Sequence, residues 1–210
     1  MTWSPCLVRS AGPSGEARYA LGHRLLDRYL AFAAGRARPN TVRAIAFDLK
    51  AFFAVVGKGP VEVTSADVLD FVAAQRGDRS VVRLADRESG LSPRTIARRL
   101  ASVSGVYAYV VARGDTPLAS NPVPRGLSTR RQRGSKRARL VPLVRVPRTL
   151  PKILTPGEVN TLFGALRTAR DRAMAEAMVL GGLRRCEVLG LADLRLAERR
   201  VFIAEGKGDH

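Results

Sequence analysis

A chain of 210 residues with 46% hydrophobic and 26% charged residues is long enough and apolar enough to bury a core as one large or two small domains. Its 36 Lys and Arg against 18 Asp and Glu leave a formal charge of +18, an excess that points to a polyanion: nucleic acid first, an anionic membrane surface second. Bilayer spans, a signal peptide, a disulfide framework and zinc-ligand spacing are all missing from the sequence, so the expectation is a cytoplasmic protein with no metal and no cofactor.

The first predicted helix runs from about Arg18 to Ala34, with Leu21, Leu25, Tyr29 and Phe32 on one face and Gly35 ending it. Pro39-Asn40-Thr41 restarts the chain, and either Asn40 or Thr41 caps a second helix bearing Val42, Ile45, Leu49, Phe52, Phe53 and Val56. Gly57-Lys58-Gly59-Pro60 breaks it. Ser65 is the expected cap of a third helix, with Asp67 in its first turn and Val68, Leu69, Phe71 and Val72 as its apolar residues. Residues from Gly77 to Gly90 read as a polar loop. Ser92-Pro93 is a strong start for a fourth helix, whose stripe is Ile96, Leu100, Val103, Tyr107 and Val110, with Arg94, Arg98 and Arg99 projecting elsewhere. Gly114 stops it, and Asn121-Pro122 marks an extended exit.

From Arg125 to Lys152 ten of 28 residues are Lys or Arg, none is acidic, and Pro142, Pro147 and Pro151 punctuate the run. Such a segment reads as an extended basic linker, not as a core element. A second domain opens at Thr155-Pro156-Gly157-Glu158, which has capping-box spacing with proline at the first helical position. Val159, Leu162, Phe163 and Leu166 form the stripe of its first helix. A further helix covers about Ala169 to Leu180, and a short one holds Arg184 and Glu187. Val201-Phe202-Ile203 is the only convincing strand, with Gly206-Lys207-Gly208 as its turn.

The segment from Gly181 to Leu191 sets Arg184 three positions before Glu187, ahead of Lys207. An arginine buried at the start of a short helix is expensive unless an anion needs it there; its ordinary use is a surface pair with Glu187 or Glu176. Cys186, within the helical pattern, reads as a small buried thiol.

This ordered set resembles the tyrosine recombinase, or phage integrase, family. The residues carrying the resemblance are Asn40-Thr41, Asp48-Leu49-Lys50 and Phe52, Ser92-Pro93-Arg94-Thr95 with Arg99-Leu100, Asn121-Pro122, Pro147-Arg148-Thr149-Leu150-Pro151 and Leu154-Thr155-Pro156-Gly157-Glu158-Val159, followed by Gly182-Leu183-Arg184 and Glu187. The resemblance implies a mainly α chain: a SAM-like helical core-binding domain over residues 18–120, after a tail of residues 1–17. A basic linker over 121–152 would then lead to the start of an α+β catalytic domain over 153–210. It implies Arg184 as a catalytic arginine, Glu187 as its supporting acid and Lys207 as the lysine of the hairpin turn. In that chemistry a tyrosine attacks a DNA phosphate. A guanidinium fork stabilises the charge on the non-bridging oxygens, and a lysine protonates the leaving 5′ oxygen without metal or nucleotide.

The family's His-x-x-Arg motif and its nucleophilic tyrosine do not occur in these 210 residues. The expectation is therefore a truncated gene product or a fragment that does not cleave DNA by itself. Tyr19, Tyr29, Tyr107 and Tyr109 are expected to pack in the helical part. Arg43, Lys50, Arg94, Thr95, Arg98 and Arg99 are candidate contacts to double-stranded DNA. Expected partners are DNA together with further protomers or a full-length recombinase, and no membrane. A noncatalytic DNA-binding protein competing for recombinase sites is the rival reading. RNA binding ranks third, because no exposed aromatic stacking motif is evident in the sequence.

Overall fold

The computed structural model of the protein describes residues 3–13, 15–78, 80, 89–128, 140–148, 150, 153–191, 193–195 and 200–203. It is mainly helical and divides into two compact units, Met1–Arg148 and Thr149–His210.

Unit 1 opens with a hairpin in which β1 (Val8–Ala11) pairs antiparallel with β2 (Ala17–Ala20). The helix expected from Arg18 begins only at α1 (Arg24–Ala34). Leu21 and Leu25 have helical spacing, but Tyr19 and Leu21, two apart, both pack on the core at strand spacing. The break is made by Gly22, whose φ of 76° is left-handed, and by His23, whose Nδ1 accepts the Leu25 amide at 3.3 Å as the N-cap. Asp27 reaches back to accept the Leu21 amide at 2.6 Å. Trp3 donates from Nε1 to the Gly22 carbonyl and sets its ring edge-on to His23 and Phe53, 5.1 and 5.5 Å between centroids. On α1 the buried stripe is Leu25, Leu26, Tyr29, Leu30 and Ala33. Phe32, expected inside, is 44% exposed.

Helix α2 (Pro39–Val56) is preceded by Arg38 as N-cap residue, so Pro39, not Asn40 or Thr41, opens it. Proline's fixed φ suits that first position and its missing N–H costs nothing there. Helix α3 (Ser65–Gly77) is capped one residue earlier than expected: Thr64 and Asp67 form a reciprocal capping box, while the Ser65 hydroxyl donates to the Pro122 carbonyl at 2.8 Å. Helix α4 (Pro93–Arg113) starts and stops as the sequence reads, with Ser92 as cap and Gly114 left-handed at its end. At Gly90 a Cβ would lie 2.2 Å from the Arg76 carbonyl oxygen, so only glycine lets the chain pass the end of α3.

The four helices enclose one core. Leu26, Leu30, Leu49, Phe52, Phe53, Val68, Phe71, Ile96, Val103 and Val106 are essentially sealed from solvent. Phe52 stands edge-on to both Phe53 and Phe71, at 5.1 and 5.0 Å. Tyr107, fully buried, satisfies its hydroxyl on the Pro60 carbonyl at 2.9 Å, and burial pushes its phenol pKa far up. The basic segment read as a linker contributes to this core. Val123 and Val144 are buried in it, Arg76 donates to the Leu143 carbonyl, and β3 (Leu127–Ser128) pairs with β4 (Leu140–Val141). Its scattered valines supply apolar contacts that its overall charge conceals.

Unit 2 contains α5 (Pro156–Ala165), α6 (Ala169–Val179), α7 (Arg185–Leu189) and an antiparallel pair, β5 (Asp193–Arg195) with β6 (Arg200–Phe202). Among the described residues five further strands thus accompany the one the sequence announced; each is short and gives little alternation to read. The Thr155–Glu158 capping box forms as expected, and Thr168 caps α6. Among the described residues of this unit only Glu187 and Val188 are buried, and the α5 stripe is not: Leu162 is 40% exposed. Among the described residues no helix is long and apolar enough to cross a membrane.

Candidate nucleic-acid interface

Where α2 packs on α4, Asp48 is buried with 2% of its side chain exposed. A carboxylate can be held there only if its charge is paired and its lone pairs are used. Its Oδ2 accepts Arg98 Nη1 at 2.5 Å and Ser102 Oγ at 2.8 Å, and its Oδ1 lies 3.9 Å from Arg99 Nε. Arg99 also donates from Nη1 to the Oε1 of buried Gln75, while its Nε is buried with no hydrogen-bond partner. Burial lowers the Arg99 pKa, Asp48 opposes that effect and Arg98 adds to it; the guanidinium keeps its charge regardless. The two arginines differ in reach. The Arg98 side chain is 51% exposed, whereas Arg99 is 22% exposed and turned inward, not projecting as expected.

The other candidates fall into two places. Arg94 is exposed in the first turn of α4, one turn before Arg98, and the Thr95 hydroxyl is engaged with Ser92 Oγ at 2.9 Å. Arg43 and Lys50 are exposed on α2, two turns apart. Lys50 follows Asp48 by two residues, about 200° around the helix, so Arg43 and Lys50 occupy the opposite face of α2 from the Asp48 cluster. The structure thus joins Arg98 to Arg99 and leaves Arg43 and Lys50 apart from them. Gln75 and Ser102 are the polar residues of the cluster that sequence reasoning passed over. The available signal was a polar position inside each apolar stripe: Asp48 beside Leu49 and Phe52, and Ser102 between Leu100 and Val103.

Phe32 and Phe47 are 44% and 49% exposed. Each lies under a guanidinium, Phe32 under Arg36 just beyond the end of α1 at 5.3 Å and Phe47 under Arg43 of the same helix at 5.8 Å from the ring centroid.

In unit 2 the chain turns at Gly182, with φ of 69°, and Arg184 becomes the extended N-cap residue of α7, not a helical one. Glu187 accepts the Arg184 amide at 2.7 Å through Oε2 and Arg184 Nη1 at 2.8 Å through Oε1. The acid is buried at 5% side-chain exposure while the arginine is 59% exposed, so the expected burial of Arg184 is not found. The pair is a buried acid holding one edge of an accessible guanidinium. A Cβ on Gly181 would meet the Ala177 carbonyl oxygen at 2.6 Å, so this turn has no room for a larger residue there. Cys186, expected inside, is exposed, as is Cys6. Its position follows from α7 being a five-residue helix with one covered face. Lys207 lies outside the described residues.

Among the described residues no group of three His, Cys, Asp or Glu side chains is placed to hold a metal ion. All four tyrosines belong to unit 1. Tyr107 is fully buried, Tyr29 is 9% exposed, and Tyr109 packs against Tyr29 and Phe32.

No family model matches the chain. Individual relatives do. A tyrosine recombinase XerC of Chromohalobacter salexigens is 30% identical over 195 residues, covering 89% of this chain and 56% of the relative. A XerC of Myxococcus xanthus is 34% identical over 124 residues, 56% of this chain and 35% of the relative. A XerD of Xanthomonas campestris pv. campestris is 32% identical over 130 residues, 58% and 34% respectively. The chain spans about half the length of the relatives that it matches most extensively. With the helical unit and the Arg184–Glu187 turn in the order the resemblance requires, the chain is homologous to the XerC and XerD tyrosine recombinases.

Proposed function

We propose that the chain is a cytoplasmic DNA-binding protein of the site-specific recombinase type. Its helical unit grips the backbone of double-stranded DNA through Arg94 and Arg98, with Arg99 braced behind Arg98, and with Arg43 and Lys50 as a second set of phosphate contacts and Thr95 beside them. Arg184 takes the phosphate at which a strand is exchanged, Glu187 holds that arginine, and Lys207 protonates the leaving 5′ oxygen. The observation that carries this reading is the Arg184–Glu187 pair. The buried carboxylate occupies one edge of the guanidinium, and the rest is accessible to a phosphate in the two-pronged geometry that Arg supplies.

A second reading is a noncatalytic protein that binds DNA without cutting it and acts by occupying recombinase sites or pairing with a full-length recombinase; the net charge of +18 supports DNA binding under either reading. A nicked suicide duplex tests both readings. A native-gel shift with no covalent adduct under denaturing conditions is the expected result. A covalent protein–DNA adduct from this chain overturns the noncutting reading, and the absence of any shift at low salt overturns DNA binding itself.

A further inference from the structure

We propose that Asp48 is a positioning residue for DNA binding, setting the Arg98 guanidinium against a backbone phosphate with Arg99 braced behind it. The inference rests on the proposed function above. It arises from a sign conflict. A surface that collects phosphates gains from each positive charge, yet here a full negative charge is buried beneath two candidate contacts. By charge count alone Asp48 weakens the site, leaving one net positive charge where two arginines would give two.

The geometry supplies a compensating role. Asp48 Oδ2 takes hydrogen bonds from Arg98 Nη1 and Ser102 Oγ, so the carboxylate is itself fixed between α2 and α4. A long side chain tied at one nitrogen to a fixed, buried acceptor has fewer rotamers to lose when it meets a ligand, and immobilising a free one costs about 0.5–1.5 kcal/mol. Arg98 remains 51% exposed, so its other N–H groups are open to solvent. Arg99 is held by Asp48 and Gln75 together and walls the inner side of the same carboxylate. Arg99 Nε faces Asp48 Oδ1 at 3.9 Å without a hydrogen bond, as in a clamp that serves Arg98 and does not satisfy every donor.

The two effects of Asp48 have opposite signs, which makes the test decisive. Binding of a ~30-bp fluorescein-labelled duplex, about three helical turns, is followed by anisotropy with the full chain, its helix content checked by circular dichroism. If charge alone governs, Asp48→Asn binds tighter because it removes a negative charge. Positioning predicts weaker binding, by about 3- to 10-fold, the range of one lost side-chain constraint. It also predicts no further loss when Asp48→Asn is added to Arg98→Ala. Ser102→Ala removes one of the carboxylate's anchors with no change in charge and should weaken binding in the same direction; it is the deciding variant if Asp48→Asn does not fold. Equal or tighter binding by Asp48→Asn, or an equal loss in the Arg98→Ala background, overturns the inference while leaving DNA binding intact. A wild-type chain that binds no duplex overturns both.

Discussion

Asp48 Oδ2 stands 2.5 Å from Arg98 Nη1 although fifty positions separate the two residues. The contact joins the second and fourth helices through a charge that the surrounding leucine, phenylalanine and valine side chains could not otherwise tolerate. It also places an accessible guanidinium at a defined point on a chain of net charge +18. A packing constraint and the proposed binding element are thus carried by one ion pair.

The capping box of α3 gives the simplest stability test. Thr64 accepts the Asp67 amide, and Asp67 in turn accepts the Thr64 amide at 2.8 Å. Thr64→Ala should cost about 1 kcal/mol in urea unfolding, whereas Ser65→Ala, which leaves the cap intact, should not remove that amount through capping. Unchanged stability in Thr64→Ala would contradict Thr64 as the cap.

Stability should also fall as pH drops through the histidine range. Burial lowers the His23 pKa below its ordinary 6.5, Asp27 opposes the shift and Arg24 adds to it. The unfolded chain therefore takes up a proton at a pH where the folded chain still resists it. The stabilising contribution of neutral His23 is fully present above about pH 6.5 and is lost as pH falls toward the lower folded value. Thermal unfolding at about pH 7.5 and 5.5 should show this decline. His23→Asn, a cap that does not titrate, should flatten it; an unchanged decline would assign the effect to other groups.

Both cysteines are exposed in the folded state. Ellman's reagent should titrate two thiols without denaturant, and Cys186→Ser should leave one. A Cys186 thiol that reacts only after unfolding would return it to the buried position expected from its helical spacing.

Glu187 should control the local opening of α7. Its carboxylate makes a charge-assisted bond to the Arg184 amide at 2.7 Å, worth about 1.5–3 kcal/mol. Glu187→Ala should speed amide exchange at Arg184 by about 10- to 100-fold. Exchange at Arg184 that does not respond would remove Glu187 as the residue that holds this turn.

What the sequence made legible was local. Ser92-Pro93 and Thr155-Pro156-Gly157-Glu158 announce helix starts because cap and first-turn residues lie within four positions of each other. The stripe of α4, from Ile96 to Val110, was readable for the same reason, since one face of one helix repeats at a fixed period. The misreadings were also local but degenerate. Thr64 and Ser65 are both capping residues, and Leu21 and Leu25 fit a helix although Tyr19 and Leu21 enter the core from extended chain. The Asp48 cluster was illegible because its members lie on three helices, and no short-range pattern links position 48 with 75, 98 and 102. Around Arg184 the motif showed which residue types belong together. It did not show exposure, which depends on how little of the surrounding unit covers them.

The central claim is that this basic chain holds DNA by its phosphates, and the most direct measurement is duplex affinity as a function of salt. For about 6–10 phosphate contacts, log K should fall linearly with log salt, losing roughly 10³–10⁵ in affinity between ~50 and ~200 mM. Affinity that does not change over that range, or no binding at its low-salt end, would contradict the account.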